Sequence, residues 1–313
     1  MTTTNRHYEQ PAEAFAAFLD RRMKYTCGLY GPGVGSLDEA QEAKLRMIAS
    51  LLGVRGGERV LDIGCGWGAL TLFLAQEYDC HVTAVTPSAE QQRFVARRAS
   101  ETGVADRVRV VPGTFETAGL AGPRFDAAAM VGVLEHLPEH REPLRKVHRL
   151  LRKDASFYLS ASCYRSRAAR REYERRPRSL HAVELYGFTA MNALSQLVEE
   201  VEDAGFSLTA LTDLTAHYDR TMRDWQRRIA AGRAAMDAAA PGFADGIGHY
   251  FEAARASWGY TAKHYALAAT RSRLGATRVP GNGDVLENSA VPESAEVPAE
   301  DGDRASDTRL TGV

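Results

Sequence analysis

The sequence predicts an α/β protein built on a doubly wound, parallel sheet. Three observations carry this. Short apolar runs alternate with helical patterns. One run, residues 60–63, passes straight into Gly64, Gly66 and Gly68, glycines at every second position. Two capping boxes of the form S-x-x-E/Q, Ser36 to Glu39 and Ser88 to Gln91, open helices on either side of that run.

Taken in order, residues 12–20 form a short amphipathic segment with Phe15, Phe18 and Leu19 on its apolar side. MKYTCGLYG, residues 23–31, is dense in aromatic and small residues. Ser36 and Glu39 cap a helix whose stripe is Ala40, Leu45, Ile48, Leu51 and Leu52. The core strand, its glycine turn and a helix over 67–77 follow. Strands are expected at 81–85, 107–111, 125–131 and 156–162, with helices at 88–101 and 141–151. The pattern then changes, because residues 164–178 carry seven arginines. A helix over 190–203 and a strand over 206–211 precede about fifty mostly helical residues and a last strand at 264–269. An insertion of that length beside the ligand edge of a sheet reads as a substrate cover. Residues 281–313 hold eight acids and two arginines, a net charge of −6, and read as a disordered acidic tail.

The chain has 313 residues, enough for one large domain or two small ones. Its 39 Lys and Arg balance 40 Asp and Glu, a net of −1, so nothing global implies nucleic acid. Cys27, Cys65, Cys80 and Cys163 make no metal spacing and read as a reduced set, with no metal expected. MTTTNRHYEQ lacks a signal pattern, and no apolar run reaches membrane-span length. A soluble, cytoplasmic protein is the expectation, with peripheral membrane contact left open and the oligomeric state undetermined.

The stretch 60–68, VLDIGCGWG, is the centre of the functional reading. Gly64 and Gly66 let the backbone come close to a ligand. Asp62, at the carboxyl end of the strand, can accept hydrogen bonds from ligand hydroxyl or amino groups, and ligands of open α/β sheets sit at that edge. The dinucleotide fingerprint is G-x-G-x-x-G, whereas this stretch has G-x-G-x-G. The spacing D-x-G-x-G-x-G resembles motif I of class I S-adenosylmethionine (SAM) methyltransferases.

Further motifs narrow the resemblance. HYE at 7–9, FLD at 18–20, YTCGLY at 25–30, SLDEAQEAK at 36–44, VTPSAEQQ at 85–92, VGVLEHL at 131–137 and HYDRTMRDW at 217–225 resemble the cyclopropane-fatty-acid synthase family. That family includes the mycolic acid cyclopropane synthases, and plant N-methyltransferases of the coclaurine type share its pattern. The resemblance implies the class I methyltransferase (Rossmann-like) fold over residues 1–272, with an N-terminal helical cover at 1–35 and a helical insertion at 213–262. The tail would be 273–313. It also implies SAM as cofactor. Tyr25 and Thr26 match residues that cover it. Asp62, Gly64, Cys65, Gly66 and Gly68 match the stretch that holds its methionine and ribose part. Thr86 and Gln91 match a pair after the second strand, and Thr114 with Phe115 stands where an aromatic and its neighbour flank the adenine.

In cyclopropanation an alkene attacks the methyl group and a base then removes a proton from the transferred carbon. The resemblance implies a bound bicarbonate as that base, with ligands matching Cys27, Glu135 and Tyr218, together with a histidine and an isoleucine on the fifth strand. Ser160 and Ser162 replace those two. The incomplete set leaves Glu135 and His136 to act directly, as in the N-methyltransferase branch, and His136 could relay a proton at neutral pH. Methylation of a carbon or nitrogen centre of a small, carrier-bound or lipid acceptor is therefore the first reading. Cyclopropanation is the second, and a non-catalytic SAM-binding protein the third. The arginines of 165–178 are either a solvated helix face or an attractor for an anionic acceptor.

Overall fold

In the computed structural model the described residues are 9–120, 122, 124–175 and 191–272. Seven strands form one sheet in the order β3-β2-β1-β4-β5-β7-β6. They are β1 (Arg59–Ile63), β2 (His81–Thr86), β3 (Val108–Pro112), β4 (Phe125–Val131), β5 (Leu151–Tyr164), β6 (Ser207–Asp213) and β7 (Ala262–Thr270). β1 pairs in parallel with β2 and β4, β2 with β3, and β4 with β5. The strand order reverses between β1 and β4, and this switch point is where an open α/β sheet offers a crevice.

The sheet is mixed rather than wholly parallel, because β7 lies antiparallel to both β5 and β6. The reason lies in the insertion. β6 ends at the crevice edge, and α8 (Thr215–Ala239) and α9 (Phe243–Ser257) follow it there. β7 therefore starts at that edge and has to run back across the sheet.

Two apolar layers sandwich the strands. On one face α5 (Arg141–Leu150) and α7 (Leu194–Asp203) contribute Leu144, Val147, Leu197 and Val201 to a core with Ile63, Met130 and Phe157. On the other, α2 (Leu37–Leu52) and α3 (Ala69–Glu77) pack Ile48, Leu52, Phe73 and Leu74 against Val60, Ala129 and Tyr158. Alternation along β5 divides its side chains accordingly: Phe157, Leu159 and Ala161 go to the first face and Tyr158 to the second. The full capping box of α2 is present, with Ser36 and Glu39 bonded reciprocally. α4 (Ala89–Glu101) keeps half of its box: Ser88 accepts from the Gln91 N–H, while the Gln91 side chain accepts a hydrogen bond from Thr86 at 2.6 Å.

A third apolar cluster joins α1 (Ala12–Ala16) and the residues after it to α8 and α9. The two segments are stitched by polar bonds. Gly28 N–H donates to Thr221 Oγ1 at 3.0 Å, Tyr30 N–H to His217 Nδ1 at 3.1 Å, and Tyr30 Oη to Asp224 Oδ2 at 2.6 Å. The YTCGLY and HYDRTMRDW motifs thus exist as a pair because each supplies the other's hydrogen-bond partners. The proposed tail lies outside the described residues, as do Arg176 and Arg178. Of the other arginines after β5, Arg167 and Arg170 lie on α6 (Arg167–Glu174), where Arg167 is paired with Glu199 at 3.0 Å and Arg170 with Glu174 at 2.7 Å.

The turn after β1 makes a stability prediction. Gly64 has φ +69°, and a Cβ there would come within 2.4 Å of Val133 Cγ2. Gly64→Ala should cost about 1–3 kcal/mol from its backbone conformation alone, and more from the clash. Urea unfolding of the purified variant checks this, and unchanged stability would contradict it.

Candidate functional site

The crevice lies beyond the carboxyl ends of β1, β4 and β5. Asp62 is the penultimate residue of β1 and is 2% exposed. Its Oδ2 accepts the Thr71 hydroxyl at 2.6 Å. Burial pushes its carboxyl up to about 6, against the opposing pull of the Thr71 hydrogen bonds and the Lys24 charge. The chain then turns through Gly64, Gly66 and Gly68, all at positive φ. Cys65 N–H is held by Val85 O and Gly68 N–H by Cys65 O. A Cβ on Gly66 would meet nothing within 4 Å, so the turn leaves open space beside Asp62's strand end. The Cys65 thiol is pushed well above its ordinary range by burial and by Asp62, so it is neutral there.

Beside this turn stands the loop after α1. Thr26 reaches the β4 end, where its Cγ2 would be 3.1 Å from a Cβ on Gly132. Its carbonyl is held by Gln41 Nε2 at 2.7 Å. Tyr25 sits under an aromatic roof, 5.4 Å from Phe15 and 5.3 Å from Trp225 between ring centroids. On the far side of the switch point, Thr86 and Gln91 are bonded to each other. Thr114 is half-buried in the turn after β3. The Phe115 ring is buried with Val85, Val111 and Leu134, and Lys146 Nζ stands 4.7 Å from its centroid.

Glu135 lies on a 3-10 turn, Leu134–His136, directly after β4. It is 3% exposed. Oε1 accepts the Ser162 N–H at 3.0 Å, while Oε2 has no hydrogen-bond partner among the described residues. Burial raises its carboxyl above the ordinary range, and the His136 charge and the Ser162 N–H offset this only in part. His136 is the next residue and half-buried. Behind Glu135 a small cavity is shared with His140, Ser162 and Asn192. His140 Nδ1 is 2.9 Å from Glu200.

Cys27 is fully buried, with Lys44 Nζ 3.6 Å from its sulfur. Tyr218, on α8, stands edge to face with Trp258 at 5.0 Å and with His264 at 4.9 Å. Three residues of this neighbourhood were not singled out from sequence. His264 on β7 pairs across from Ser162, and its Nδ1 is 3.2 Å from the serine Oγ. It is 1% exposed, its Nε2 has no partner among the described residues, and burial holds it well below its ordinary pKa. Lys24 and Lys44 are buried ammonium groups without a carboxylate in ion-pair range among the described residues. Lysines read as surface residues by default, and His264 becomes visible only once the β5–β7 register is known.

The family model described as Mycolic acid cyclopropane synthetase matches residues 1–262. Among curated proteins, the chain is 31% identical over 164 residues to a probable (S)-tetrahydroprotoberberine N-methyltransferase 2 of Papaver bracteatum, covering 52% of this chain and 45% of that one. It is 37% identical over 131 residues to the cyclopropane-fatty-acyl-phospholipid synthase of Escherichia coli (strain K12), covering 42% and 32%. The matched segments thus span less than half the length of these relatives. Among solved structures, the cyclopropane synthase MmaA2 from Mycobacterium tuberculosis superposes with a TM-score of 0.75 at 23% identity, over 84% of this chain and 95% of that one, which shows the shared fold. No helix among the described residues is long and apolar enough to cross a membrane.

Proposed function

The chain belongs to the mycolic acid cyclopropane synthetase family, and on that premise we propose that it is a SAM-dependent methyltransferase acting on a carbon or nitrogen centre of a small, carrier-bound or lipid acceptor. The observation that carries this is Glu135: a buried carboxyl with one unpartnered oxygen, next to a glycine turn with room for a ligand. When bound, SAM supplies a methyl group activated by its sulfonium. The chain's residues fit such a group. Gly66 leaves the space, Asp62 offers a carboxylate at its edge, and Thr26 closes over the β4 end.

The remaining work falls to positioning, exclusion of water and proton handling. Tyr25, Trp225, Tyr218 and Trp258 pack ring to ring between the loop after α1 and the helical insertion, and aromatic faces suit a cationic acceptor. Glu135 takes the proton that an amine or an activated carbon must lose, with His136 beside it as the relay. Thr114 and Phe115, in the turn after β3, are the proposed adenine neighbours.

A second reading, cyclopropanation of an unsaturated acyl chain, is favoured by one observation. His264 presents an imidazole from β7 beside Ser162, the strand position that the resemblance fills with isoleucine. A neutral, buried imidazole with an unpartnered Nε2 can accept the proton that ring closure releases. Ser160 and Ser162 do not reproduce the bicarbonate ligand set, and no step here runs through bicarbonate.

SAM bearing a fully deuterated methyl group, incubated with the enzyme and an extract of lipids and small metabolites, separates the readings by high-resolution mass spectrometry. Retention of three deuteriums in the product is the expected result and means simple methylation. Loss of one means that the transferred carbon gave up a proton, which is the outcome of ring closure. SAM bound without any labelled product would point to a non-catalytic SAM-binding protein.

A further inference from the structure

We propose that Lys24 and Asp62 form a two-ended receptor for an α-amino-acid group, Lys24 taking the carboxylate and Asp62 the ammonium of SAM. The proposal rests on the SAM reading above and deepens it. Both side chains are buried, at 4% and 2% exposure. They carry opposite charges, sense each other electrostatically, and yet form no ion pair with each other. Each is instead held by a threonine hydroxyl. Lys24 Nζ donates to Thr26 Oγ1, and also to the Cys27 carbonyl at 3.2 Å; Thr71 donates to Asp62.

Buried charges that lack a partner are costly, and a ligand that supplies both counter-charges recovers that cost. The placement fits one ligand rather than two. Asp62 is the penultimate residue of β1, and Thr26, to which Lys24 is bonded, closes over Gly132 at the end of the neighbouring β4. The two charges are therefore anchored at the ends of the two strands that flank the switch point. A zwitterion with both charges on one carbon matches this pair, whereas a phosphate or a plain amine would leave one of them unpaired.

The charged and titratable groups around Lys24 are Asp20 and Cys27 on its own loop, Lys44 on α2 and Asp62 on β1. Burial, then the Lys44 charge, lowers Lys24 to about 7. An empty site thus holds Lys24 charged below pH 7 and increasingly neutral above it. A carboxylate partner favours the charged form, so affinity for that partner falls as pH rises past 7.

The test measures SAM and decarboxylated SAM by calorimetry with wild type, Lys24→Met and Lys24→Arg. At pH 6.5, Lys24→Met should bind SAM about 10- to 100-fold more weakly, the range for losing a hydrogen bond to a charged group. It should bind decarboxylated SAM like wild type. Lys24→Arg, always charged, should remove the loss of SAM affinity that wild type shows between pH 7 and 8.5. SAM's own amino group titrates at about 7.7–8.0 and acts on both proteins alike, so their difference reads Lys24. If Lys24→Met does not fold, the wild-type and Lys24→Arg pH series carries the test alone. Equal loss for both ligands, or identical pH series, overturns the proposal. A wild type that binds neither ligand overturns the SAM reading itself.

Discussion

Replacing Glu135 with glutamine is expected to lower kcat about 100- to 10,000-fold, the usual contribution of a positioned acid or base, with SAM affinity unchanged. Glutamine is chosen over alanine for a structural reason. Its amide oxygen still accepts the Ser162 N–H, so the bond that fixes the end of β5 survives. Alanine would orphan that N–H in a buried site and confuse folding with chemistry. What glutamine removes is the second oxygen, Oε2, whose proton affinity no neighbour among the described residues satisfies. The sign of the pH dependence follows from burial. Glu135's carboxyl lies above the ordinary 4.5, so a larger share of it is protonated in mildly acid solution. As a base it works only when ionised, and kcat/KM in wild type should climb through that raised pKa. Glu135→Gln should lose this acid limb as well as the rate. A variant that keeps full turnover in steady-state assays would remove Glu135 from the proton path.

Much of this arrangement was legible before any coordinates. VLDIGCGWG is legible because a buried parallel strand and a turn needing positive φ leave few residue choices, and the structure puts both there. The Ser36 capping box is legible because capping is local. What sequence did not reveal depends on long-range pairing or on burial of residue types that are usually wet. His264 meets Ser162 through a pairing across 102 residues. The direction of β7 follows from where α8 and α9 end, which no local pattern encodes. Lys24 and Lys44 sit inside because the N-terminal segment folds over α2 and the β4 end, and only the assembled layers show that.

Asp62→Asn should bind SAM about 100-fold more weakly or worse, as expected when one partner of a buried charged pair is lost, and should make the ligand-free protein more stable at neutral pH. The second half follows from the same burial as the first. Asp62's carboxyl rises from 3.8 to about 6 on folding, a cost to the ionised folded state of about 3 kcal/mol at most. Because the folded pKa lies above the unfolded one, this cost is absent below pH 4. It grows between 4 and 6, and is full above 6. Asparagine keeps the acceptor for Thr71 and never ionises. It also deprives Lys24 of a favourable charge, which reduces the net gain to about 1–3 kcal/mol. Thermal melts of the two ligand-free proteins should therefore coincide near pH 4 and separate as pH rises, with Asp62→Asn the higher. Saturating SAM should close or reverse the gap at pH 7.5, since binding stabilises only the protein that binds. Melts that stay parallel from pH 4 to 8 would mean that Asp62 is not held under strain by its burial. Unchanged SAM affinity would remove it from the ligand's ammonium. Joint success would mean that the protein keeps a buried carboxylate against its own stability because that carboxylate is what SAM requires.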